Sequence, residues 1–274
     1  MPDKYKAVWV SHSSSADFLK CPRLYYLRNV YKDPRTGHKI TVASPALALG
    51  QIVHDTIESF STLPAEERFS IPPSEVFEKL WAGVTGKRGG FLTAESESEY
   101  KARGLAMIAT IENHPGPLMN KAIKIPQELP HYYLSEEENI ILCGKIDWLE
   151  YLPQEDAVHI IDFKTGRGEE KDDSLQLPIY LLLVMNTQKR TVAKASYWYL
   201  DREEAPREVS LPTPEESYKK VYDVAKRMKL ARQIEHFKCP QGGCRYCLPL
   251  EDVVAGKGEF IGTSNYNQDI YILP

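Results

Sequence analysis

Residues 144–166, GKIDWLEYLPQEDAVHIIDFKTG, set two acids and a lysine inside apolar strand sequence. The runs 140–151 and 157–164 are β-branched, apolar and aromatic, and 153–156 between them, Pro-Gln-Glu-Asp, is turn chemistry. Together they predict a β-hairpin. With the turn centred between Gln154 and Glu155, Asp147 faces Asp162 across the pair. Cross-strand neighbours lie about 4.5 to 5.5 Å apart, close enough for two carboxylates to share one divalent cation. Asp162 and Lys164 are two apart on one strand, so they project from the same face while Phe163 points to the other. Unpaired charge within IIDF or KIDW is costly, which sets this D-x-K apart from a surface salt bridge. Hard oxygen ligands suit Mg²⁺ or Mn²⁺, and such an ion assists phosphodiester cleavage. A lysine beside it orients water or neutralises charge developing on the phosphate.

Gly144-x-x-Asp147 followed by Asp162-x-Lys164 resembles the PD-(D/E)XK nuclease superfamily, in particular its RecB-like branch. Gly50 and His54 in LALGQIVHDTIESF match that branch's Gly-x-x-x-His, and Gln176 and Tyr180 in QLPIY match its Gln-x-x-x-Tyr. The resemblance implies an α/β, restriction-endonuclease-like core with a mixed central sheet and a helical N-terminal part. It implies that His54, Asp147, Asp162 and the backbone carbonyl of Phe163 hold Mn²⁺ or Mg²⁺, with Lys164 assisting the attacking water beside the two aspartates. Gln176 and Tyr180, at i and i+4 of one helix, then position substrate or water. A histidine ligand tilts preference toward Mn²⁺, because nitrogen is the softer donor.

Cys239, Cys244 and Cys247 in CPQGGCRYC form a compact trio, and Cys21 in CPRLYYL is the natural fourth ligand. Zinc and an iron-sulfur cluster both take four cysteines, and spacing alone does not separate them. One N-terminal cysteine plus three near the C-terminus is similar to the iron-sulfur subset of RecB-like nucleases, the CRISPR-associated exonuclease Cas protein four and the AddB nuclease domain. That similarity implies a structural 4Fe-4S cluster in a C-terminal hook, stapling the chain ends across the core. Cys143 reads as a buried small apolar residue.

The chain has 274 residues and a net charge of −4, which does not advertise nucleic-acid binding. One domain is expected: a mainly helical part (1–120) carrying Cys21 and His54, a catalytic α/β core (121–212), and a basic helix with the cysteine cluster (213–274). No long apolar run suggests a membrane span, and MPDKYKAVWV lacks a secretory pattern, so an intracellular, cytoplasmic protein is expected. Two basic clusters, Arg23 to Lys39 and Lys219 to Lys238, read either as solvated faces or as phosphate-tracking surfaces. Helices are expected over 14–28 (with a break at Cys21-Pro22), 45–60, 73–81, 94–114, 172–187 and 214–236, and strands over 122–134, 192–201 and 207–211. Residues 30–42 read as a basic loop and TGKRGG as a flexible one.

The expected activity is metal-dependent hydrolysis of DNA. By resemblance it is exonucleolytic, on single strands or free ends, 5′ to 3′, in CRISPR adaptation or DNA repair and recombination. The alternative is a DNA-end-binding or docking subunit that works only with a partner such as a CRISPR integrase or a recombination protein.

Overall fold

The computed structural model describes residues 3–264 and 266–274. In chain order it begins with β1 (Val8–Val10), α1 (His12–Lys20), α2 (Pro22–Tyr25), β2 (Lys39–Val42), α3 (Pro45–Phe60), α4 (Pro73–Trp81) and α5 (Ala94–Asn113). The middle of the chain gives β3 (His131–Ser135), β4 (Ile140–Cys143), β5 (Trp148–Leu152), β6 (Ala157–Lys164), α6 (Gln176–Thr187), β7 (Thr191–Tyr199) and β8 (Arg207–Val209). It ends with α7 (Pro214–Gln233), α8 (Leu248–Val254), β9 (Glu259–Thr263) and β10 (Gln268–Ile272).

The central sheet has the order β5-β6-β7-β8. Its outer pairs are antiparallel and β6 runs parallel to β7. That parallel pair is joined through α6, because parallel neighbours need a crossover rather than a tight turn. The hairpin has the expected register, with Trp148 opposite Ile161 and Leu152 opposite Ala157. Asp147 and Asp162 are therefore the next facing pair.

Strand β6 is apolar on both faces because both are covered. Val158 and Ile160 pack with Ile179, Leu183, Val221 and Met228 from α6 and α7. Ile161 and Phe163 pack with Val53, Ile57, Met107 and Ile108 from α3 and α5, beside Trp148 and Trp198. Asp162 and Lys164 lie on the α6 side of this alternation.

The run 140–151 is not one strand. Ile140–Cys143 pairs with β1 and β3 in a second sheet, and only Trp148–Leu152 enters the hairpin. The chain changes sheets across 144–147, starting at Gly144, where an added Cβ would meet Leu183 at 3.1 Å. The strand expected over 122–134 is confined to His131–Ser135, preceded by a single bridge from Ala122 to Glu150.

Other boundaries also move. α1 starts at His12, because Ser11 forms a capping box with Ser14, and it ends where extended Cys21 lets Pro22 restart a helix. α6 starts at Gln176 with no side-chain cap from Asp173 or Ser174. α7 starts after a Thr213–Glu216 capping box and stops at Gln233. TGKRGG is a tight 3₁₀ turn rather than a slack loop, with Gly90 at φ 82 against the backbone of Ser44.

The C-terminal strands, unforeseen in the sequence, turn the end of the supposed basic loop into strand β2. β10 lies parallel to β2 and antiparallel to β9. Asp269, 1% exposed, ties this small sheet by accepting from Thr36 at 2.6 Å and Thr263 at 3.1 Å and pairing with His38 at 2.9 Å.

Burial raises the Asp269 carboxyl, but those hydrogen bonds outweigh it and hold it below its ordinary 3.8. A depressed carboxylate stabilises the fold above its unfolded value and loses that contribution as pH falls through its folded value. Asp269→Ala is expected to cost roughly 1–3 kcal/mol in urea unfolding at neutral pH. The gap between variant and wild type should narrow on acidification below the ordinary carboxylate range; a constant gap would count against this account.

Candidate metal centre and catalytic residues

The hairpin register, the end of β6, the start of α6 and one face of α3 bring seven predicted residues together. Asp147 Oδ2 accepts the Phe163 backbone N–H at 3.0 Å and lies 3.3 Å from His54 Nδ1 on α3. Asp162, 2% exposed, accepts Gln176 Nε2 on Oδ1 at 2.6 Å. Its Oδ2 sits 3.0 Å from Lys164 Nζ but accepts no well-aligned hydrogen bond. Lys164 Nζ also donates to Glu170 Oε2 at 2.7 Å and to Gln176 Oε1, and lies over the Tyr197 ring. Gln176 Nε2 further reaches the Tyr180 hydroxyl at 3.2 Å.

Charge sets the protonation of this cluster. Burial pushes Asp162 up, Asp147 adds like-charge repulsion, and its carboxyl rises to about 7. Burial acts the same way on Asp147, but His54 and the Phe163 N–H outweigh it and keep it below the usual carboxylate range. His54 would be lowered by burial, yet Asp147 lifts it to about 9. Lys164 is likewise pulled down by burial and held above its ordinary value, first by Asp162 and then by Glu170. Asp162 Oδ2, buried with an unfilled acceptor beside a second carboxylate, is the kind of atom a cation satisfies, so this oxygen and nitrogen donor set fits a hard divalent ion. In the present arrangement His54 and Asp147 face each other and Asp162 turns to Gln176, so the three do not converge as closely as the cysteines do.

Gly50 has a packing role at the end of β6. An added Cβ there would meet Thr165 Oγ1 at 3.3 Å, so Gly50 lets α3 approach the end of β6. A cleft of about 490 Å³ opens beside the pair, lined by His54, Asp147 and Phe163 and flanked by Lys124 and Lys145. Glu128 is exposed at this cleft. Two neighbours of Lys164 escaped the sequence reading. Glu170 lies in the acidic turn EEKDD, which looks like solvated loop. His12 opens α1 with a buried, unpartnered Nδ1, and burial pulls it down to about 4 despite nearby Glu170.

Among the described residues, Cys21, Cys239, Cys244 and Cys247 form the one set of three or more metal-ligating side chains whose ligand atoms all lie within 4.8 Å. All are free, and Cys244 and Cys247 Sγ are 3.6 Å apart. The Cys247 N–H leads in lowering the Cys244 thiol to about 7, while burial lifts Cys247 to about 12. A thiolate set of this kind fits a soft or borderline metal group. A cavity of about 460 Å³ adjoins it, lined by Lys20, Cys21, Cys239, Cys244 and Tyr246. Cys143 is buried, and its thiol rises to about 11 through burial alone.

Much of the basic charge is already paired. Arg23 meets Glu251, Arg28 meets Asp17, Arg35 meets Asp33 and Lys229 meets Glu138. Lys219, Lys220, Lys226, Arg227 and Lys238 stay exposed. No helix among the described residues is long and apolar enough to cross a membrane.

A paired-carboxylate, lysine and histidine cluster at the end of a mixed sheet is an arrangement suited to metal-dependent phosphodiester cleavage. The PD-(D/E)XK nuclease superfamily model matches residues 9–249, and the chain belongs to that superfamily. Its fold is accordingly the α/β PD-(D/E)XK fold with mixed sheets, the four cysteines forming the hook. Membership implies DNA as the substrate. The search of curated proteins returned no match.

Gln176→Leu should leave the Asp162 Oδ1 buried without its donor and Lys164 without one acceptor. A loss of roughly 1–3 kcal/mol in urea unfolding is expected, and an unchanged midpoint would show that Gln176 is dispensable to the cluster.

Proposed function

We propose that the protein is a deoxyribonuclease of the RecB-like branch, using Mn²⁺ or Mg²⁺ and acting as an exonuclease on single-stranded DNA. The observation that carries this reading is the buried Asp162 carboxylate with an unfilled oxygen, set against Asp147, Lys164 and Gln176. His54, Asp147, Asp162 and the Phe163 carbonyl would hold the ion. Such an ion, when bound, polarises a phosphoryl oxygen and eases deprotonation of water.

The chain's own groups do the rest. Lys164 is held as an ammonium, so it donates to a phosphate oxygen or orients the attacking water rather than taking its proton. Gln176 bridges Lys164 and Asp162 and fixes both. Tyr180, whose hydroxyl burial raises well above its ordinary value, stays a neutral partner of Gln176. Strand specificity, 5′ to 3′ polarity and a role in CRISPR adaptation or in repair and recombination rest on the resemblance carried by Gly50, His54, Gln176, Tyr180 and the four cysteines. A CRISPR integrase or recombination proteins are the partners it suggests, within one intracellular nuclease domain.

For the cysteines we infer a 4Fe-4S cluster. The reading is supported by Cys21 and the turns of 239–247 converging beside a cavity of about 460 Å³. A single zinc ion is the second reading. The 3.6 Å sulfur separation favours it, being close to the edge of about 3.8 Å that follows from tetrahedral Zn–S bonds of about 2.3 Å.

The deciding assay is cleavage of single- and double-stranded DNA, labelled at either end, with Mn²⁺, Mg²⁺ or chelator. Asp162→Ala and Lys164→Ala should each lower the rate by about a hundredfold or more while melting cooperatively. A variant cutting at the wild-type rate would falsify its assignment. For the second site, metal analysis and visible absorption of anaerobically purified protein separate iron from zinc. Cys21→Ser should lose most of the bound metal and lower the melting temperature, since the link closes a very long loop; full retention would remove Cys21 from the ligand set.

A further inference from the structure

An ammonium has three hydrogens and can satisfy three acceptors. Lys164 donates to Glu170 Oε2 at 2.7 Å and to Gln176 Oε1 and forms an ion pair with Asp162 Oδ2 at 3.0 Å without an aligned hydrogen bond, so three oxygens and the Tyr197 ring surround it. The simplest route for a substrate phosphate to this crowded ammonium is to replace one of those oxygens. Asp162 and Gln176 are poor candidates, because both are buried in rigid elements and bonded to each other at 2.6 Å.

Glu170 is different. It stands in the connection between β6 and α6, and its side chain is 22% exposed. Its backbone is fixed independently of that side chain, since its N–H donates to the Tyr199 hydroxyl at 2.9 Å. Neighbouring Glu169 pairs with Arg202 at 2.7 Å and Arg207 at 2.5 Å. The carboxylate can therefore turn out to solvent without unfastening the loop. It also has the charge and oxygen geometry of the group that would replace it.

We propose that Glu170 is a substrate-displaced stand-in for phosphate: its carboxylate occupies the phosphate position on Lys164 in the free protein and yields that position to a phosphodiester of bound DNA. The proposal rests on the nuclease reading. Glu170 then acts as a specificity residue. It keeps Lys164 oriented between turnovers, and only a ligand that presents an anionic oxygen at this point, held by contacts elsewhere, exchanges with it.

The test is binding of a labelled single-stranded oligonucleotide by the full chain in Ca²⁺, under conditions where no product forms, followed by steady-state cleavage in Mn²⁺. Glu170→Gln should tighten binding about threefold or more and lower KM by a similar factor without lowering kcat. Asp173→Asn, which removes an exposed charge from the same loop, should change binding by less than about half that factor. In a Lys164→Ala background the gain from Glu170→Gln should vanish; Glu170→Ser provides a second variant should Gln retain the bond. A gain that persists without Lys164, or equals that of Asp173→Asn, overturns the proposal, as does a fall in kcat at unchanged KM. If the wild type cuts DNA and Glu170→Gln behaves identically, the stand-in alone is wrong. If the wild type neither binds nor cuts DNA, the nuclease reading falls and takes the proposal with it.

Discussion

A carboxylate placed at the end of a strand that is buried on both faces has to be held in register and supplied with partners. Asp162 is that carboxylate, 2% exposed and beside Asp147. A one-residue slip of β6 would carry Asp162 to the α3 side and push Ile161 and Phe163 into the α6 side. Covering both faces makes such a slip costly everywhere along the strand, so the core that fixes the fold also fixes the spacing of the acids. Gln176 and Lys164 answer Asp162 from α6 and from the same strand, while His54 and the Phe163 N–H answer Asp147. The resulting site is electrostatically tense: two acids, one of them raised to about 7, share a pocket with two bases held above their ordinary values.

The distal parts of the chain serve a separate constraint. α2, the helical turn after it and β2, from the N-terminal part, pack with α8 and β10 through Leu24, Leu27, Ile40, Leu250, Val253 and Tyr271, with Cys21, Cys244 and Cys247 in the same cluster. Asp269 and its three hydrogen-bond partners sew the same junction together. The four sulfurs therefore converge where the backbone is already paired, and a metal group there would reinforce a closure that β2 and β10 begin.

How much of this could be read in advance depended on whether the determining contacts were local. The hairpin register was legible because turn chemistry and alternation sit within two dozen residues and leave one pairing that buries both runs. The span 45–60 was legible because Pro45 and the apolar periodicity frame one helix. β2 was not, since KITV lies in a basic stretch and acquires its identity only from β10 at the other end of the chain. Nor was the switch of sheets after Cys143, where one uninterrupted apolar run serves two sheets and only Gly144 marks the change. Glu170 was hidden by an acidic turn that reads as solvent-facing, and its pairing with Lys164 depends on tertiary approach. The predicted residues of the carboxylate cluster, by contrast, all lie on β6, α3, α6 or the edge of β5, where periodicity fixes direction as well as position.

Two donor sets of opposite softness lie in one chain, and their separation is itself a constraint on the sequence. Thiolates compete strongly for the softer divalent metals, whereas carboxylates suit hard ions that thiolates bind poorly. Cys143 immediately precedes the segment carrying Asp147 and could in principle mix the two sets. Burial raises its thiol to about 11, so it stays protonated and a poor ligand. The soft set is instead confined to the junction of the chain ends, where the Cys247 N–H lowers Cys244 to about 7 and makes a thiolate available near neutral pH. Cys143 stands apart from the four sulfurs that converge, so the soft donors gather at the junction and the oxygen and imidazole groups at the sheet edge are left to the harder ion.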